Sequence, residues 1–124
     1  MNYIIETPFS DNVLTRDADR YEYMGTQALA LPEFALGGPS VDWVGYAALE
    51  TKRLGRMSRP EKPSLTFVGD DEDIVSIPAI RKMHGDWSSG ELRIVESARH
   101  EIMMEVSAVR SQFLTESLAF FGQD

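Results

Sequence analysis

Apolar positions recur at helical spacing in the first half of the chain. Tyr21, Met24, Ala28 and Leu31 follow at intervals of three, four and three, so they share one face of a helix. Thr15 or Asp17 can cap its start, and Pro32 ends or bends it. Leu36-Gly37-Gly38-Pro39 is a break. Ser40 then caps a second helix, with Asp42 in its first turn. Lys52, Arg53 and Arg56 fall in its last turns, where the helix dipole favours cations. Residues 1–15 read as irregular, with Pro8, Ser10, Asp11 and Asn12 as turn formers, and residues 58–63, with two prolines, as a linker.

The pattern then changes period. Ser64-Leu65-Thr66-Phe67-Val68 is a short apolar run that stops at Gly69, which predicts a buried strand. Asp70-Asp71-Glu72-Asp73 is an acidic loop. Ser76 caps a helix that opens Ile77-Pro78 and runs to about His84. Gly85 to Gly90 is a turn, Leu92-Arg93-Ile94-Val95 a second strand, and Ser97-Ala98-Arg99-His100 a loop. A last helix carries Val106, Val109, Phe113 and Phe120 near one face. This alternation predicts an α/β arrangement with two parallel strands joined by a right-handed crossover. Functional groups in open parallel sheets gather at the carboxyl ends of the strands, so the acidic loop and the His100 loop should lie side by side.

Composition narrows the partners. The 124 residues suffice for one domain, and 43% hydrophobic residues permit a packed core. A net charge of -8 argues against a nucleic-acid partner and against electrostatic attachment to anionic lipid. The chain has no cysteine, which excludes disulfides, thiol nucleophiles and Cys-type zinc sites. Neither a signal-like start nor a transmembrane segment of roughly 20 apolar residues is present, so a cytoplasmic location is the default expectation.

A carboxylate beside a histidine at strand ends is the supporting half of a nucleophilic triad. The carboxylate would fix the imidazole tautomer and leave the other ring nitrogen free to take a proton. The four adjacent carboxylates also fit a solvated loop, or a magnesium site of hard oxygen ligands. His84, at a helix end before Gly85, reads as structural. Met24, Phe34, Trp43 and Tyr46 read as core, or as the lining of an acyl pocket.

Several segments resemble one family. Gly69-Asp70-Asp71-Glu72-Asp73-Ile74-Val75 is similar to the acid loop of α/β-hydrolases, Gly-x-x-[Asp/Glu]-x-[Ile/Val]-Val. Ser97-Ala98-Arg99-His100-Glu101-Ile102-Met103-Met104-Glu105 resembles the His loop of the lysophospholipase L2 and monoacylglycerol lipase group, often written Gly-Ala-Arg-His-Glu-Ile-Leu-Met-Glu. Asn12-Val13-Leu14-Thr15-Arg16-Asp17 and the segment Leu31 to Ser40, containing Leu36-Gly37-Gly38-Pro39, look like that group's cap. The resemblance spans roughly residues 10–121. It implies the C-terminal portion of an α/β-hydrolase fold: residues 1–60 a remnant of the helical cap, residues 61–124 the end of the core with its last two parallel strands.

By the same resemblance His100 is the catalytic histidine and Glu72 the acid, in a place where Asp is usual and where Asp71 and Asp73 flank it. No cofactor and no metal are implied. The intact relative would be a serine hydrolase acting on a lysophospholipid, a monoacylglycerol or a related small ester. The family nucleophile lies in a Gly-x-Ser-x-Gly elbow. No such pentapeptide occurs here, and Gly85-Asp86-Trp87-Ser88-Ser89-Gly90 has the wrong spacing. The chain is therefore expected to be inactive alone, pairing with a missing N-terminal part or self-associating. The alternative is a non-catalytic truncated product or an interaction domain that pairs with another chain. Residues 16–57 should form two helices packed largely on each other and poorly tied to the strands.

Overall fold

The computed structural model describes residues 3–35 and 37–122, so Leu36 in the expected break lies outside the described residues. Five helices run α1 Tyr3–Glu6, α2 Ala18–Ala30, α3 Val41–Leu54, α4 Ile77–Gly85 and α5 Ser107–Phe121. Two strands, β1 Ser64–Gly69 and β2 Gly90–Val95, flank α4. Short 3-10 turns occupy Phe9–Asp11, Pro32–Phe34 and Ile102–Met104. Among the described residues no helix is long and apolar enough to cross a membrane.

Side-chain caps set the helix starts. Asp17 accepts the Arg20 N–H at 3.0 Å, Ser40 the Trp43 N–H at 3.1 Å and Ser76 the Ala79 N–H at 3.3 Å. Each such cap contributes about 1 kcal/mol. Thr15, the other candidate for α2, is engaged elsewhere: its hydroxyl donates to the Met104 carbonyl and accepts from the Asp17 N–H.

β1 and β2 pair in parallel, from Ser64 opposite Gly90 to Gly69 opposite Val95. α5 lies over them. The core is Val95, Ala98, Ile102 and Val109, with Phe67 and Phe113 packed against it edge to face at 4.9 Å. α4 is tied to β1 by His84, whose Nε2 lies 2.9 Å from the Thr66 hydroxyl and whose ring stacks on Trp87.

Two expectations for the first half are corrected. Residues 1–15 are not wholly irregular, because α1 and the turn at Phe9–Asp11 form there. Nor do α2 and α3 pack largely on each other. The inward face of α2, led by buried Tyr21, meets α1 and the Phe9 ring, and the Tyr21 hydroxyl donates to the Thr7 carbonyl at 2.9 Å. No residue of α3 is buried, and Trp43, Tyr46 and Leu49 lie open to solvent. The periodicity suffices to form both helices, but among the described residues no layer covers α3.

The turn after β2 carries an uncommon backbone. Ser97 has φ 55°, in the left-handed region that favours glycine. The related His-loop motif places glycine at this position. Ser97→Gly is expected to raise stability by up to ~1 kcal/mol, the left-handed penalty being partly offset by the greater freedom of glycine in the unfolded chain. Urea denaturation followed by tryptophan fluorescence checks this, and a loss of stability would contradict it.

A second expectation follows from what is left uncovered. Among the described residues β1 has a partner on one edge only, and α5 exposes Leu114, Leu118 and Phe121 on the side away from the core. A run of exposed apolar side chains marks a contact surface, and an open strand edge recruits other chains. Residues 1–124 alone should therefore sediment as oligomers. A monodisperse monomer across a wide concentration range would refute this.

Candidate active site

The site is built where both strands end. At Gly69 the backbone passes so close to the following loop that a β-carbon would lie 2.0 Å from the Ala98 carbonyl oxygen. Only glycine fits there. Beyond it the Asp71 N–H donates to the Ala98 carbonyl at 3.1 Å, and Asp70 Oδ1 accepts the Ser97 N–H at 2.7 Å. The acidic loop and the His100 loop are thus joined along their backbones.

The four carboxylates do not converge. Asp71 Oδ2 accepts from Arg16 at 2.7 Å and from Arg99 at 3.2 Å, and these two guanidinium groups, Arg99 first, hold its carboxyl below the usual range. Asp73 is exposed. Among the described residues no group of three or more acidic or histidine side chains is placed to hold a metal ion. Glu72 alone turns inward, its side chain only 2% exposed, and its Oε2 lies 2.7 Å from His100 Nδ1. Its Oε1 accepts the N–H groups of Ile74 at 2.6 Å and Val75 at 3.1 Å.

Burial pushes the Glu72 carboxyl up, but the Ile74 N–H, His100 and the Val75 N–H outweigh it and hold it below its ordinary value. Glu72 is therefore an ionised acceptor, and His100 Nδ1 is the donor. That leaves Nε2 unprotonated in the neutral ring and without a hydrogen-bond partner among the described residues. His100 faces an open hollow of ≈ 350 Å³ lined also by Leu65, Phe67, Met103 and Phe113. Trp43 and Tyr46 of α3, and Phe34, stay exposed and do not line it.

A third segment, which sequence reasoning did not connect to the site, clamps the His100 loop. Leu14 accepts the Glu101 N–H at 2.8 Å, and Asn12 accepts from the Arg99 guanidinium through its carbonyl. Arg110 bridges Asp17, at 2.9 Å, and the Glu105 carbonyl. Asn12, Thr15 and Glu105 are buried at 2%, 0% and 0% exposure, so the junction is polar and dry. The two motifs named from the sequence hold these residues, but their spacing gave no sign that they meet.

The lowered Glu72 carboxyl gives a pH prediction. Its contribution to stability is fully present above the ordinary glutamate range and is lost as pH falls through its lower folded value. Glu72→Gln should therefore flatten part of the acid limb of the stability profile between about pH 5 and pH 2. Urea midpoints measured across that range check it; unchanged curvature in the variant would contradict the assignment.

No protein-family model matches the chain. It is 28% identical over 104 residues to probable lysophospholipase L2 of Haemophilus influenzae, an alignment covering 83% of this chain and 33% of that protein. It is 27% identical over 128 positions to lysophospholipase L2 of Escherichia coli K12, covering 94% of this chain and 36% of that protein. The chain thus spans about a third of the length of the curated relatives it matches. A soluble variant of monoglyceride lipase from Saccharomyces cerevisiae, solved with a substrate analog, superposes with a TM-score of 0.64 at 17% identity, covering 85% of this chain and 38% of that one. By sequence the chain is a homologue of lysophospholipase L2, and by fold it matches the carboxy-terminal portion of an α/β-hydrolase.

Proposed function

We propose that this chain supplies the acid and the histidine of a serine ester hydrolase. The observation that carries the reading is the 2.7 Å contact between Glu72 Oε2 and His100 Nδ1, which leaves Nε2 available on a residue that lines a hollow beside β1. A serine outside these residues would attack the ester carbonyl. His100 Nε2 would take the hydroxyl proton and then deliver it to the leaving alcohol, and Glu72 would stabilise the imidazolium formed between those steps. The substrate class is an acyl ester of lipid kind, a lysophospholipid, a monoacylglycerol or a related small ester, in line with the names of the relatives. Residues 1–60 serve as part of the cap and residues 61–124 as the end of the core, in a cytoplasmic protein.

The absence of a Gly-x-Ser-x-Gly elbow from these 124 residues, together with the uncovered edge of β1, favours a second reading. In it the chain is a non-catalytic domain that pairs with another polypeptide.

One pair of assays separates the two. Residues 1–124 alone should hydrolyse no ester above background. A chimera in which they replace the corresponding third of the Escherichia coli lysophospholipase should hydrolyse lysophospholipid or monoacylglycerol. In that chimera Glu72→Gln should lower turnover on the order of 10⁴-fold, as when a triad acid becomes an amide. His100→Ala should abolish it, whereas exposed Asp73→Asn should change little. A folded chimera whose activity survives His100→Ala would sink the triad reading. A folded but inactive chimera would favour the interaction domain.

A further inference from the structure

Glu105 is wholly buried, yet among the described residues no cationic side chain pairs with its carboxylate. A carboxylate in such a place is costly unless hydrogen bonds replace its water. Here three backbone N–H groups do so. Oε1 accepts from Arg99 at 2.8 Å, Oε2 accepts from Val106 at 3.2 Å, and both oxygens share the Arg16 N–H at 3.2 Å. The three donors lie on three different parts of the chain: the approach to α2, the residue before His100, and the residue that opens α5.

Packing alone does not call for a charge at this point, since a buried apolar side chain of similar size would fill the same volume. What the carboxylate adds is a fixed position for the Arg99 peptide. The Glu101 peptide, on the other side of His100, is held by the Leu14 carbonyl from the same approach segment. The residue that must present Nδ1 to Glu72 is thereby gripped on both sides.

We infer that Glu105 is a positioning residue for His100, acting through the Arg99 N–H to hold the imidazole on Glu72. The consequence for catalysis rests on the ester-hydrolase reading; the geometric claim does not.

The test uses the 124-residue chain and reads its two histidines separately. Diethyl pyrocarbonate acylates neutral imidazole, and mass spectrometry after digestion reports His84 and His100 individually, in oligomers as well as monomers. The rate at His100 is followed against pH in the wild type, Glu72→Gln, Glu105→Gln and Tyr21→Phe. Tyr21→Phe loses a part-buried hydrogen bond from α2 to the Thr7 carbonyl, just past α1, and serves as the control for destabilisation. In Glu105→Gln the amide keeps the volume but puts a donor in place of one carboxylate oxygen, facing either the Arg99 or the Val106 N–H, so the three peptide groups lose their common acceptor. The expected result is that its His100 profile moves to that of Glu72→Gln while His84 stays at the wild-type rate. Tyr21→Phe should leave the His100 profile unchanged.

A wild-type His100 profile in Glu105→Gln overturns the inference. So does an equal rise at both histidines, which would make Glu105 a packing residue only. Should Glu105→Gln not fold, Glu105→Asp keeps the charge and shortens its reach, and the change must again be confined to His100. Collapse of both variants, with the two histidines modified together, also refutes a positioning role. In the chimera, Glu105→Gln should lower kcat by up to roughly 100-fold with KM little changed, the scale set by a small misplacement of a reacting group. A chimera without activity would count against the hydrolase reading and leave the labelling result standing.

Discussion

The backbone of Gly69 runs so near Ala98 that a β-carbon would lie 2.0 Å from the carbonyl oxygen, and the geometry of the site follows from that approach. Parallel pairing sets Gly69 opposite Val95, so both chains leave the sheet at the same level and on the same side. The missing side chain lets the two loops touch through their main chains. Asp71 then bonds to Ala98 and Asp70 to Ser97, and Glu72 is carried inward to His100. A larger residue at position 69 would separate the loops by more than a hydrogen bond can span.

Four adjacent carboxylates acquire different chemistry from this one arrangement. Asp70 caps a turn, Asp71 sits between two arginines in partial solvent, and Asp73 faces water. Glu72 has lost its water and gained three donors, which is what makes it an oriented acceptor rather than another surface charge. The length of the glutamate side chain carries its carboxylate to His100 Nδ1.

Much of this was legible in the sequence, because local rules act there. Ser40, Ser76 and Asp17 cap the helices whose periodicity announced them, and the apolar runs around Phe67 and Ile94 form the two strands. The pairing of Glu72 with His100 followed from strand order and from the likeness to a hydrolase acid loop. What stayed hidden depends on contacts between distant segments. Thr15 and Asp17 were equal as caps until Met104 claimed the Thr15 hydroxyl. Glu105 looked like the end of a motif, since no periodicity reveals that a carboxylate will be enclosed by three peptide groups. The failure of α3 to find cover is of the same kind. Its apolar face was legible, but what lies opposite that face is not encoded in the helix.

The junction of residues 12–17 with the His100 loop joins groups 89 positions apart in the chain. Closing so long a loop has an entropic cost that local elements do not bear, and contacts of this range form slowly. The caps and the α4 crossover can settle first, from neighbours in sequence. The His100 loop gains its full set of bonds only when the segment before α2 docks against the turn before α5. Loop-closure entropy therefore favours an order of assembly that runs from the sheet outward, with the histidine's surroundings late to become native.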